Sequence, residues 1–218
     1  VNGEFIRVSA QIMNKLFKGL VVALGLSSSA FVSAEVVGDV QAGKDKSAVC
    51  AACHGADGNS AAGNFPKLAG QGERYLLKQM YDQKEGRRVI VEMTGLLDGF
   101  SDQDMADVAA YFAAQTTTVG QADPELVEEG RALYRAGNPA TKMAACIACH
   151  GPSGKGVEAA GFPALSGQHA DYTIAQMKKW RSGERANDGD ARVMRSIAAR
   201  MNDREIEAVA SYISGLSE

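Results

Sequence analysis

Near the middle of the chain, apolar positions fall three and four residues apart. Ser101 and Asp104 have the form of a capping box, and Met105, Val108, Ala109 and Phe112 follow on one helical stripe. The same layout returns close to the C-terminus, where Asn202 and Glu205 precede Ile206, Val209, Ala210 and Ile213. Leading helices are predicted over residues 42–51 and 124–135, the second with Glu125, Glu128 and Glu129 near its positive end. Middle helices are predicted over residues 75–83 and 172–181. No stretch alternates apolar and polar positions as a half-buried strand does. The pattern predicts an all-α protein.

The elements come twice. Cys50-Ala51-Ala52-Cys53-His54-Gly55 is echoed by Cys146-Ile147-Ala148-Cys149-His150-Gly151. Phe65-Pro66-Lys67-Leu68-Ala69-Gly70-Gln71 is echoed by Phe162-Pro163-Ala164-Leu165-Ser166-Gly167-Gln168, and Tyr75, Gln79 and Met80 by Tyr172, Gln176 and Met177. The offset between copies grows from the cysteines to the last helix, so short insertions separate blocks of one duplicated unit. A long repeat present twice means tandem domains rather than a solenoid. The join is predicted in the polar stretch 116–124, which ends on Pro124. The expected domains are residues 35–118 and 119–218.

The N-terminal residues are read as processing signals. From Met13, a basic start (Lys15, Lys18) leads into an apolar run from Leu20 to Leu26 and a small-residue end at Val32-Ser33-Ala34. That is the layout of a secretory signal over residues 13–34, with cleavage expected near Ala34 and export to the periplasm. The apolar run breaks at Ser27-Ser28-Ser29, too early for a span of about 20 residues. Residues 1–12 match no signal element and are expected to be an upstream extension outside the native fold.

Composition sharpens the picture at two points. The net charge is −3, so nothing suggests binding to nucleic acid. Aromatic residues make up only 6% of the chain, thin for two small domains that must each build a core. Something other than protein is expected to fill the interior.

The four cysteines say what. C-x-x-C-H is the attachment signature of a c-type haem. Cys50 and Cys53, like Cys146 and Cys149, are spaced to form thioethers with one porphyrin each. His54 and His150 then point at the iron. A thioredoxin-like pair needs a strand–helix context and no histidine, and a zinc site would have to join distant pairs. Two of the three histidines directly follow a C-x-x-C; the third, His169, has no counterpart and reads as a surface residue. The predicted cofactors are two covalently bound haem c groups.

A methionine usually closes the far side of an electron-transfer haem and raises its potential. Two methionine pairs keep the repeat register. Met80 and Met177 lie inside the middle helices and read as core filler. Met93 and Met194 lie in the irregular segment before each final helix, where a loop can wrap the opposite haem face; they are assigned as ligands. Met105, Met143 and Met201 have no methionine counterpart and read as packing. Pro66 and Pro163 are placed to offer a carbonyl to the histidine Nδ1. Arg87-Arg88 and Lys178-Lys179 read as solvated surface. The second half is less negative than the first, and Arg181 and Arg185 are expected to mark the end that partners prefer.

These strings, with Glu92-Met93-Thr94-Gly95 and Asn187-Asp188-Gly189-Asp190, make the chain resemble the dihaem cytochrome c4 family, two fused class I cytochrome c domains. The likeness runs from about Val37 to Leu216. It implies His54/Met93 and His150/Met194 as axial pairs, haems facing one another across the domain interface, and a periplasmic carrier, soluble or loosely held at the inner membrane. Its donor would be a quinol–cytochrome c reductase, and its acceptor a terminal oxidase or reductase. Segment 85–90 is short for the family's first domain. The competing readings are the cytochrome subunit of a sulfide-oxidising flavocytochrome and a dihaem peroxidase. The latter needs an open iron, whereas this chain offers a methionine for each haem, so an electron carrier rather than an enzyme is expected.

Overall fold

Each half of the chain folds as short helices strung on turns that glycines and prolines make. In the computed structural model, which describes residues 36–217, the first half carries α1 (Val40–Lys46), α2 (Ala51–His54), α3 (Glu73–Lys84) and α4 (Asp102–Ala113). The second carries α5 (Val127–Ala136), α6 (Ile147–His150), α7 (Ala170–Ser182), α8 (Val193–Ala198) and α9 (Asp203–Gly215). Among the described residues extended pairing is confined to two isolated bridges, Asn138 with Met143 and Val157 with Phe162. The fold is all-α and duplicated. The upstream extension, the secretory signal and its cleavage near Ala34 lie outside the described residues. No described helix is long and apolar enough to cross a membrane.

Both capping boxes form. The Ser101 hydroxyl accepts from Asp104 N–H at 3.2 Å while the Asp104 carboxylate accepts from Ser101 N–H at 2.8 Å. Asn202 and Glu205 make the same exchange at 2.9 and 2.8 Å. The stripes that follow are buried. Met105, Val108, Ala109 and Phe112 are at most 3% exposed, as are Ile206, Val209, Ala210 and Ile213. In each half the leading helix crosses the final one at a glycine. A Cβ on Gly43 would overlap the Asp107 carbonyl, and one on Gly130 the Ala208 carbonyl, so the two backbones meet without a side chain between them.

The helix starts differ from the pattern for local reasons. Asp39 caps α1 by accepting from Ala42 N–H at 2.7 Å, and the chain tightens into a 3-10 turn at Ser47–Val49 before the first cysteine. Asp123 accepts from Glu125 N–H at 2.8 Å, which spends residues 124–126 on a turn and delays α5 to Val127. Met194, expected in an irregular segment, lies in the first turn of α8, entered through Arg192 in the left-handed region (φ 49°). The Asp188 carboxylate accepts from both the N–H and Nε of Arg195 and holds that short helix in place.

The connecting stretch lies along both halves. Thr118 N–H donates to Asn59 Oδ1 at 2.8 Å, Gly120 N–H to Ser214 O at 2.9 Å and Asp123 N–H to Ser211 Oγ at 2.8 Å. Methionines fill the cores. Met105, Met143 and Met201 are at most 4% exposed, and Met80 and Met177 pack against the core of their own half.

Candidate haem sites

The cysteine motif folds identically in both halves. Cys50 and Cys146 start one-turn helices, α2 and α6, that end on His54 and His150. Gly55 (φ 80°) and Gly151 (φ 78°) then turn the chain away in a conformation that only glycine adopts without strain. The first cysteine of each pair is half-buried and the four thiols are free. Burial pushes the Cys50 and Cys146 thiols up to about 11, so they stay neutral instead of forming reactive thiolates.

Both histidines are buried, 7% exposed, and each is held by a carbonyl from the repeated Phe-Pro segment. His54 Nδ1 is 2.9 Å from Pro66 O, and His150 Nδ1 is 2.9 Å from Pro163 O. A carbonyl only accepts, so Nδ1 carries the proton and Nε2 presents its lone pair. Burial lowers both imidazole pKa values, opposed by the carbonyl bond, and keeps the rings neutral. Phe65 and Phe162 set ring edges against them, with centroids 6.3 and 6.4 Å away. A neutral, oriented imidazole with a free Nε2 is the form that binds a metal.

Met93 closes a 3-10 turn, Val91–Met93, and lines a cavity of about 320 Å³ with Arg88, Val89, Ile90, Thr94 and Leu97. Neither His54 nor a cysteine lines this cavity. In the second half Met194 is half-buried on α8. Of the eleven exposed large apolar side chains among the described residues, seven are near these elements in sequence: Val49 before Cys50, Val89, Val91 and Leu96 around Met93, Val157 and Phe162 beside the Pro163 turn, and Val193 before Met194. In each half two thiols at C-x-x-C spacing precede a buried imidazole oriented by a carbonyl, and that donor set fits a covalently held haem.

Between the halves lies a polar network that the repeat duplicates. Arg88 donates to Gln79 Oε1 in its own half at 2.8 Å, and to the Tyr172 hydroxyl at 3.0 Å and Gln176 Oε1 at 3.2 Å across the interface. Arg185 answers with Gln176 at 2.9 Å, and across the interface with the Tyr75 hydroxyl and Gln79, both at 3.1 Å. Both arginines are only 8% exposed. Their direct partners are neutral amides and phenols, together with Asn187 and the face of Trp180 under Arg185. Burial raises the Tyr75 pKa, but the charges of Arg185 and Arg88 outweigh it and the net shift is downward. The nearby carboxylate, Asp82, is engaged by Lys78, Arg87 and Asn187. Two guanidinium charges thus stand buried at the interface, and Arg88 also lines the cavity that holds Met93.

The interface also corrects three surface assignments. Arg88 is not solvated surface and Arg185 does not mark an outer docking end: both are interior because matching tyrosines and glutamines of the other half satisfy them. His169 is not a free surface residue either. Its Nε2 lies 2.9 Å from Ser60 O and 3.0 Å from Ser60 Oγ, across the interface. Arg87, Lys178, Lys179 and Arg181 do stay at the surface, in ion pairs with Asp82, Glu85, Asp203 and Glu184. The signal for the buried pair was present: Arg88 and Arg185 keep the repeat offset, and so do Tyr75/Tyr172 and Gln79/Gln176. Polar residues repeated inside helices that should bury one apolar face mark an interface.

The cytochrome c family profile matches the chain twice, over residues 40–115 and 127–217. Cytochrome c4 of Pseudomonas aeruginosa is 58% identical over 204 residues, covering 94% of this chain and all of that protein. Cytochrome c4 of Azotobacter vinelandii is 55% identical over 213 residues with the same coverage. Among solved structures, reduced recombinant cytochrome c4 from Pseudomonas stutzeri superposes with a TM-score of 0.81 at 54% identity, covering 83% of this chain and 100% of that one.

Proposed function

The chain belongs to the cytochrome c4 family of periplasmic dihaem electron carriers, and from that premise we propose which residues hold each haem and which partners it serves. Cys50 and Cys53 anchor the first haem and Cys146 and Cys149 the second. His54 and Met93 would hold the first iron, and His150 and Met194 the second. Arg88 and Arg185, with Tyr75 and Tyr172, receive the haem carboxylates. The domains divide as residues 35–118 and 119–218.

When bound, each haem supplies a one-electron ferric–ferrous couple; the chain's part is to hold and tune it. The prolyl carbonyls fix the histidine tautomer and keep Nε2 aimed at one place. Met93 and Met194, as second ligands, would exclude small molecules from the irons. The buried guanidiniums favour the reduced state through their charge. None of these groups makes or breaks a substrate bond, in keeping with a carrier rather than a peroxidase.

The observation that carries the assignment is the matched pair of 2.9 Å bonds from His54 and His150 to the prolyl carbonyls, each just after a C-x-x-C. Its test is an absorption spectrum of the exported protein, oxidised and reduced, with haem counted per chain. Two low-spin haems with the methionine-to-ferric-iron band support it. One haem, or a high-spin component, sinks it. For partners, the reading is a quinol–cytochrome c reductase as donor and a terminal oxidase or reductase as acceptor. Stopped-flow oxidation and reduction with membranes from the source organism tests it: slow exchange in both directions, or a tightly co-purifying flavoprotein, overturns it.

A further inference from the structure

One peptide group in each half joins the proximal histidine to a glutamine of the other half. The Pro66 carbonyl accepts from His54 Nδ1, and the N–H of that same peptide, on Lys67, donates to Gln168 Oε1 at 2.9 Å. Gln168 Nε2 returns a bond to Lys67 O at 2.9 Å, so the amide clamps the backbone on both sides. The duplicate is complete. Pro163 O accepts from His150 Nδ1, Ala164 N–H donates to Gln71 Oε1 at 3.1 Å, and Gln71 Nε2 donates to Ala164 O at 2.7 Å. Gln71 and Gln168 are 8% and 6% exposed, which puts these bonds in a medium where hydrogen bonds strengthen one another.

We propose that Gln71 and Gln168 are positioning residues, each tuning the haem of the opposite domain through the peptide that its histidine bonds. The inference rests on reading His54 and His150 as the iron ligands. An amide whose N–H is donated to an acceptor has a more electron-rich carbonyl. That carbonyl draws the Nδ1 proton harder, and the imidazole becomes a stronger donor to ferric iron. Gln168 therefore stabilises the oxidised first haem, and Gln71 the oxidised second haem. Separation of the domains releases both clamps, so the grip between the halves sets both potentials.

The test uses the holoprotein with Gln168→Leu and Gln71→Leu, following each haem separately by its NMR methyl signals during a redox titration. Gln168→Leu is expected to raise the first haem's ferrous-to-ferric ratio about two- to fivefold at fixed poise, where tenfold is 59 mV for one electron. It leaves the second haem in place, and His54 Nδ1–H exchanges faster with solvent. Gln71→Leu does the converse. Asn187→Ala serves as the comparator for a loosened interface: its bonds to Gln79 and Asp82 cross the interface away from either histidine peptide, and its bond to Arg185 reaches a charge that acts on both haems alike. Shifts confined to the variant's own domain, shifts equal in both haems as for a merely loosened interface, or no shift would each overturn the proposal. Should the unaltered protein lack two low-spin haems, it is the ligand assignment that fails instead; wild-type spectra separate the two failures.

Discussion

The backbone of Gly43 rests on the carbonyl of Asp107, where a methyl group would overlap it, and Gly130 rests in the same way on Ala208. Alanine is the better helix former by about 1 kcal/mol, yet here it must push two helices apart. Gly43→Ala and Gly130→Ala are each expected to cost about 2 kcal/mol net. Thermal unfolding followed at the haem absorption checks this. Gly99→Ala, at a position with open space around it, leaves the midpoint unchanged.

Acid should act unevenly on the two halves. The Lys46 ammonium, 2.8 Å away, with the Asp39 N–H and the Gln103 amide, holds the Asp107 carboxyl below its ordinary value. A carboxylate depressed in the folded state stabilises fully above its unfolded pKa, near 4. That contribution fades as the pH falls through the lower folded value. The counterpart of Asp107 in the second half is Ala208, which cannot titrate. Melting profiles between about pH 5 and 2 should therefore show a loss that Asp107→Asn flattens. An unaltered slope in that variant removes the explanation.

The two methionine pairs separate cleanly by experiment. Met93→Ala is expected to abolish about half of the methionine-to-ferric-iron absorption and to let imidazole bind one haem. Met80→Ala keeps the spectrum and loses about 2 kcal/mol of stability, as removal of a packed side chain does. Exchanged phenotypes would mean that the helical methionine is the ligand.

Charge at the interface has a predicted sign. Arg88→Leu or Arg185→Leu removes a buried positive charge at the interface and so favours the oxidised irons. Both haems should become easier to oxidise, on the order of 1 kcal/mol each. Because both guanidiniums are only 8% exposed, added salt should change this little. Potentiometric titration at low and high ionic strength reads both effects.

The capping boxes and the contact of each histidine with a prolyl carbonyl were legible because each is specified locally. A capping box such as Ser101 with Asp104 needs four residues, and C-x-x-C-H needs five. The repeated Phe-Pro segment was enough to place a carbonyl opposite each histidine. What escaped was whatever depended on the two halves meeting. Arg88 looks like half of a solvated Arg-Arg pair until Tyr172 and Gln176 arrive from the other domain. His169 looks unmatched until Ser60 is beside it. Met194 looked like part of a loop because the left-handed turn at Arg192 and the Asp188 anchor, not a periodic pattern, make α8 a helix.

The exchange of glutamines between Gln71 and Ala164, and between Gln168 and Lys67, has a consequence for stoichiometry. Each half offers one such surface and uses it once on the other, the arrangement of a self-complementary pair. A contact of that kind closes at two. Once paired, it leaves no copy of itself free, so these two domains hold each other in one arrangement and any further partner must be met by a different surface.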